Sequence, residues 1–261
     1  MFATYALPDG WHINYQPSAT SSNDLALAAL RQSAGEAEGE CFQVGEQTKG
    51  RGRRGKQWVS QSGDGLYLSI ILCPDAPRST WAGLSFMASL AVFKTLLGFI
   101  EDAHVPACSL KWPNDILYDK RKLAGILLEA STEGVVVGCG INLANAPMIG
   151  QTDFPPVALK ELVTSQLVDS KVLACAVICQ MAELYATWQA GGIEIILGEW
   201  RSYCDMKGKS LRIQTVKDEI IGTYEGIGSD GHLLVRKAGG RIVQIAAGDV
   251  EILRGDDASG N

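Results

Sequence analysis

The densest chemistry in the chain lies in seven consecutive residues, Gly50, Arg51, Gly52, Arg53, Arg54, Gly55 and Lys56, with Lys49 adding a fifth cation just before them. Glycine lets backbone amides approach an anion closely, and arginine offers fixed, fork-shaped donors that match phosphate or carboxylate oxygens. Such a segment can close over an anionic ligand; it can also be a solvated charged loop or a short RNA-binding arginine-glycine patch. A P-loop is excluded. Gly50 to Lys56 fits G-x-x-x-x-G-K, but Gln57 stands where Ser or Thr must follow, and a strand rather than a helix comes next. Trp58 ends the run with a flat face on which a base could stack, worth about 1–3 kcal/mol. An isolated tryptophan is otherwise a core residue.

Three more segments carry polar groups in unusual settings. In Lys111-Trp112-Pro113-Asn114-Asp115, proline breaks a strand path and turns Asn114 and Asp115 away from the ladder. In Arg121-Lys122-Leu123-Ala124-Gly125-Ile126-Leu127-Leu128-Glu129, Lys122 and Glu129 bound a hydrophobic strand, so the lysine is either a solvated edge residue or a charge held against a ligand. In Gly138-Cys139-Gly140-Ile141-Asn142, glycines at alternate positions strip one strand face of side chains, making room for a ligand or a packed helix. That G-x-G lacks the third glycine of a dinucleotide fingerprint, and a Rossmann reading fails.

The elements that must hold these groups follow from hydrophobic period and turn residues. Ser21, Ser22 or Asn23 can cap a short helix begun by DLALAALR, leaving its first amides pointing at a small polar corner. Residues 41–47 alternate as a strand, 49–61 read as an unpatterned basic loop, and 65–72 resume as an apolar strand. A long helix is expected from Ser79 or Thr80 to about Ala103, then strands at 109–112, 116–118 and 122–129, the last two joined by a tight turn at Lys120. Residues 134–143 read as a buried strand, 147–156 as a loop, and 157–170, 171–189 and 193–204 as helices. From Lys209 the helical pattern disappears. Five short alternating segments, KSLRIQTV, EIIGTYEGI, GHLLVRKA, RIVQIA and DVEIL, with Lys-Asp, Ser-Asp-Gly and Gly-Gly turns, predict a small β-barrel-like module.

Whole-chain properties narrow the classes. A chain of 261 residues, 46% hydrophobic and 20% charged, has material for one large core and a small satellite. Its net charge of −6 offers no broad cationic face for a nucleic-acid backbone, so any basic site must be local. The stretch 81–100 is apolar, but Ser85, Ser89, Lys94 and two glycines interrupt it, and a buried helix fits better than a membrane span. Seven scattered cysteines without C-x-x-C spacing, and three histidines, are poor material for zinc and suit free thiols in a reducing compartment. Cys175 and Cys179, at i,i+4, sit among Ala, Val and Ile as small hydrophobes. The N-terminal residues lack the basic start and apolar core of a signal peptide, and a cytoplasmic setting is expected.

Taken in order and at this spacing, GRGRRGKQW, KWPND, RKLAGILLE and GCGIN resemble the signature segments of bacterial biotin protein ligases. Ser21-Ser22-Asn23 stands where that family has a Ser-Thr-Asn run, and the resemblance spans roughly residues 18 to 254. Ser22 in place of threonine and Lys56 in place of the loop's last arginine depart from the pattern but keep its polar and cationic chemistry.

The resemblance implies an α+β fold: a mixed-sheet catalytic domain, residues 1–208, followed by a small SH3-like β-barrel domain, 209–261. It implies biotin and ATP with Mg2+ as substrates and an acceptor lysine on a biotin carboxyl carrier protein. By the same resemblance Ser21, Ser22, Asn23, Gln47, Gly50, Arg51, Gly52, Arg53 and Lys122 hold biotin and its activated carboxyl group, with Gly125, Gly138 and Gly140 shaping the pocket floor. Arg53 and Lys122 are the catalytic charges nearest the reacting phosphate. Trp58 stacks on adenine, Asn114 and Asn142 serve the nucleotide together with Arg53, Asp115 and Lys122, and Asp115 faces the metal. A lipoate-type ligase shares the architecture, but the KWPND and GRGRRG segments match the biotin family better. A biotin-responsive repressor needs a winged helix before the Ser-Ser-Asn segment, which arrives by residue 23, so no DNA-binding role is expected. Monomer and homodimer are both left open.

Overall fold

The computed structural model describes residues 6–253 apart from 34, 148–153 and 165–167. Seven strands form the larger sheet: β1 (His12–Gln16), β2 (Glu40–Val44), β3 (Gly65–Leu72), β4 (Cys108–Lys111), β5 (Asp115–Tyr118), β6 (Arg121–Ala130) and β7 (Val135–Asn142). Their spatial order is β1-β2-β3-β7-β6-β5-β4; β1 and β2 run parallel and all other neighbours antiparallel, which makes the sheet mixed. Edge strand β1 escapes sequence reading because His12–Gln16 is short and largely exposed, with no apolar face to set a period.

Helix α1 (Ser22–Gln32) begins where Ser21 accepts a hydrogen bond from the Asp24 amide. It covers the outer end of β2, β3 and β7 with Ala26 and Leu30. Helix α2 (Leu84–Leu97) is apolar nearly all round and packs between the sheet and two further helices, α3 (Ser170–Gly191) and α4 (Ile193–Ser202). The segment Arg78–Leu97 is long and apolar enough to cross a membrane, yet it is mostly buried inside the protein. An all-round apolar helix is what a two-sided core position requires.

Two helical expectations are corrected. The helix expected over 79–103 is shorter at both ends: residues Arg78–Gly83 form a 3-10 turn, and Gly98 caps α2. Between 157 and 170 only Leu159–Leu162 turns, as a 3-10 segment, while 165–167 lie outside the described residues. Here tertiary pairing wins over local pattern. The Lys122 amide donates to the Pro155 carbonyl and the Val157 amide to the Lys122 carbonyl, drawing 155–157 alongside β6 as an extra extended segment.

The C-terminal strands β8 (Ser210–Gln214), β9 (Glu219–Ile227), β10 (Leu233–Arg236), β11 (Ile242–Ile245) and β12 (Asp249–Ile252) make a five-stranded antiparallel sheet ordered β11-β10-β9-β8-β12. Trp112 fastens this sheet to the larger unit: its ring is buried and its indole N–H donates to the Gly231 carbonyl at 3.1 Å.

Candidate functional site

A cavity of about 650 Å³ opens between the larger sheet, the basic segment and the C-terminal strands. Its floor is the cross-strand pair Gly125 and Gly140 on β6 and β7. Of the two uses expected for the glycine strip, helix packing is realised at Gly138, and a tryptophan side chain occupies the space at Gly140. A Cβ on Gly138 would collide with the Asn23 amide of α1, and one on Gly140 would lie 2.6 Å from the Trp58 ring. Helix packing takes one end of the strip and the flap's tryptophan the other.

The basic segment is not unpatterned. The Trp58 amide donates to the Gly50 carbonyl at 3.0 Å, the Gly52 amide to the Lys56 carbonyl at 2.7 Å, and Arg51 bridges Gln57, which makes a narrow hairpin flap. Its tip is a 3-10 turn at Arg53–Gly55 in which Arg54, at φ 54°, sits in the left-handed region. That conformation is uncommon for a residue with a Cβ. Glycines serve the close pairing: at Gly50 a Cβ would strike the Trp58 carbonyl across the hairpin. Gly50 therefore shapes the flap from behind, whereas Gly52 lines the cavity.

The charges beneath the flap are fixed by strand geometry. Residues three apart on a regular strand face opposite ways, yet the Lys122 side chain lies over Gly125, its Nζ 3.1 Å from where a Gly125 Cβ would be. A register shift between Ile116 and Leu117 of β5 pairs Leu117 with Lys122 and leaves Leu123 unpaired on β6. This bulge brings Lys122 onto the cavity face. There its ammonium group is 2.6 Å from Asp115 Oδ1 and 5.6 Å from the centre of the Trp58 ring.

Lys111 completes the cluster, 3.4 Å from Asp115 Oδ2 and 4.5 Å above the Phe154 ring. Burial pushes the Lys111 ammonium below its ordinary range, against the pull of Asp115. Burial alone would raise Asp115, but the two lysines outweigh it and hold the carboxyl down at about 2. Arg53, mostly withdrawn from solvent, is lowered by burial, against the attraction of Asp249 and Asp115. Its guanidinium donates to Asn114 Oδ1 at 3.1 Å, while the Asn114 amide nitrogen donates to the Ile126 carbonyl. Asn114 thus aims Arg53 from a fixed point on the sheet. Asn142 braces Lys122 in the same way, donating to the carbonyls of Lys122 and Val157, each at 3.2 Å.

The polar corner at α1 is a second network. The Ser22 amide donates to Gln47 Oε1 at 2.9 Å, and Ser69 donates to Asn23 Oδ1 at 2.5 Å while lying 2.7 Å from Ser22 Oγ. Asn23 donates to Glu129 at 2.6 Å, and Arg51 spans Asp24 at 2.7 Å and Glu129 at 3.0 Å. Ser21, Ser22, Asn23, Gln47 and Arg51 all reach the cavity wall.

Of the residues to which the resemblance gave a role in the site, only Gly50 lies off the wall. Several wall residues were not foreseen. Lys111 was quoted in its motif but given no role; Ser69, which lies behind the wall and ties Ser22 to Asn23, carries a signal, a small polar side chain inside the apolar strand GLYLSIIL. Arg212, Gln214, Gly248, Asp249 and Glu251 come from the C-terminal strands and carry none, because only the packing of the two sheets brings them here. Six basic and three acidic side chains line the cavity, a local cationic excess in a chain of net charge −6. The Trp58 indole N–H is buried without a hydrogen-bond partner among the described residues. Such a donor costs about 1–3 kcal/mol unless something accepts from it. A cationic, glycine-floored cavity of this size suits an elongated anionic ligand.

Comparison with known proteins agrees. The Biotin/lipoate A/B protein ligase family profile matches residues 15–142. A biotin--[acetyl-CoA-carboxylase] ligase of Paracoccus denitrificans is 35% identical over 214 residues, covering 77% of this chain and 86% of that protein. The bifunctional ligase/repressor BirA of Bacillus subtilis is 32% identical over 254 residues, 93% of this chain and 74% of that one. Among solved structures, the biotin protein ligase of Aquifex aeolicus in complex with biotin and ATP superposes with a TM-score of 0.76 at 25% identity, covering 93% of this chain and 99% of that chain.

Proposed function

Because the chain belongs to the biotin/lipoate A/B protein ligase family, we infer that it is an ATP-dependent biotin protein ligase, forming biotinyl-5′-AMP and passing biotin to a lysine of a biotin carboxyl carrier protein. The observation that carries this reading is the cavity itself, in which Arg53, Lys111 and Lys122 converge under one flap on a glycine floor.

In the first step the biotin carboxylate attacks the α-phosphate of ATP and pyrophosphate leaves. A carboxylate is ionised at neutral pH, so no histidine base is needed. The obstacle is joining two anions and stabilising charge that builds on phosphoryl oxygens. Arg53 and Lys122 are the groups for that task, one aimed by Asn114 and the other by the bulge and Asn142. Ser21, Ser22, Asn23, Gln47, Arg51 and Gly52 form the biotin end, with Gly125, Gly138 and Gly140 beneath. Trp58 is the adenine platform, its unpartnered N–H available to a ligand oxygen or nitrogen.

Magnesium enters with ATP in this reading. Among the described residues no cluster of three or more His, Cys, Asp or Glu offers a ready-made metal site. That suits a cation which keeps its phosphate and water ligands and takes one or two carboxylates from protein. Asp115 is the candidate carboxylate, through the oxygen more loosely held by Lys111. The ion would supply further charge neutralisation at the phosphates.

In the second step the acceptor lysine attacks the mixed anhydride and AMP leaves, so water must be kept out in the interval. The flap is placed for that role. Residues 1–208 act as the catalytic domain and 209–261 as the β-domain that completes the cavity wall, in a cytoplasmic setting. Incubation with biotin, Mg-ATP and a carrier domain tests the reading: one added biotinyl group per acceptor by mass is expected. Incorporation of lipoate instead, or no modification, overturns it.

A further inference from the structure

Two contacts join the tip of the flap to the C-terminal strands. Lys56 pairs with Asp249 of β12 at 2.9 Å, and the Arg54 guanidinium donates to the Gln214 carbonyl at the end of β8. These strands are neighbours, with Gln214 and Asp249 directly opposite one another. The two ties therefore meet at one point of the barrel. Arg54 is also the flap residue held in the left-handed region, a conformation that persists where surroundings enforce it. Asp249 further attracts Arg53 beneath.

We propose that Asp249 and the Gln214 carbonyl are positioning elements of the active site: a latch by which the C-terminal barrel holds the cationic flap closed over the cavity. Lys56 and Asp249 are both surface-accessible, 69% and 33% exposed, so the pair is weak and exchangeable. A weak tie is what a flap needs if it must open for ATP, close over the adenylate and open again for an acceptor lysine. It also explains why the barrel lines the same cavity as the catalytic lysine. The last point rests on the biotin ligase reading; the latch does not.

The flap carries its own reporter, since Arg51, Arg53, Arg54 and Lys56 are trypsin sites whose cleavage follows the open population. The ligand-free full chain is treated with trypsin, and cutting after Arg53 or Arg54 is timed by mass spectrometry in wild type, Asp249→Lys, Lys56→Asp and the double exchange. An exposed pair of this kind predicts cutting roughly twofold to fivefold faster in each single variant. The double exchange, which rebuilds the pair with reversed sense, should return the rate to within about twofold of wild type. Single variants cut at the wild-type rate, or a double exchange as fast as the singles, overturn the latch. A second arm follows AMP release from biotin and Mg-ATP without acceptor: the singles should leak adenylate to water faster, and the double should not. If no adenylate forms at all, the function reading fails while the trypsin arm still judges the latch.

Discussion

The flap and the strand bed beneath it hold the same kind of charge by opposite means. On the bed, Lys111 and Asp115 are withdrawn from solvent and Lys122 is half-buried; both lysines pair with Asp115, and a bulge and Asn142 brace Lys122. On the flap, the cations reach outward to partners on three other elements: Asp24, Glu129 and Asp249. Asp115 is the shared counter-charge of the bed, and removing it leaves Lys111 buried without one. The Arg51 and Lys56 pairs of the flap are exposed and exchangeable.

That contrast is sharpest at Arg53 and Lys122, where flap and bed line one cavity. Replacing either with alanine should slow biotinyl-adenylate formation by roughly 10²–10³, the usual consequence of losing one preorganised donor at a developing charge. Circular dichroism should be unchanged. Near-native synthesis by a folded variant would remove that residue from the catalytic role.

Next comes Asp115. Asp115→Ala leaves Lys111 buried without its carboxylate and should cost about 3 kcal/mol of stability by denaturant unfolding, a penalty no flap charge should match. pH supplies a second view of the same group. The folded carboxyl titrates at about 2, below its unfolded value of about 3.9, so its contribution is present above pH 4 and lost as pH falls toward 2. The gap between wild type and Asp115→Asn should therefore narrow across that window. A gap independent of pH would show that the pairing is not what stabilises the bed.

A smaller effect is expected where flap and bed touch. A methyl group at Gly140 would stand 2.6 Å from the Trp58 ring, so Gly140→Ala should displace the tryptophan, raise the KM for ATP several-fold and lower stability by about 1 kcal/mol. An unchanged KM would dissociate Trp58 from the nucleotide. Least of all is the latch, worth only a few-fold in flap opening.

Much of the bed was readable from local pattern, as with the glycines of GCGIN, the proline break before Asn114 and the strand bounded by Lys122 and Glu129. What the pattern could not give was direction. Strand alternation alone puts Lys122 and Gly125 on opposite faces, and only the unpaired Leu123 reverses that. The flap was legible as chemistry but not as a hairpin, because its pairing runs through glycine backbone, which has no side-chain period. The barrel's own strands were legible from their turns, whereas the approach of Asp249 to Lys56 spans nearly two hundred residues and leaves no mark in local sequence. The helix expected over 157–170 failed for a related reason: the Val157 amide is spent on the Lys122 carbonyl and the Lys160 amide on the Leu143 carbonyl.

The central claim is that flap and bed together press a carboxylate against the α-phosphate of ATP. It is tested most directly by supplying the purified chain with biotin and Mg-ATP, without acceptor, and looking for the mixed anhydride by mass spectrometry alongside released pyrophosphate. The account predicts biotinyl-5′-AMP and pyrophosphate in equal amounts, both lost in Lys122→Ala. A folded protein that makes neither product, or a Lys122→Ala variant that makes both as well as wild type, would contradict it.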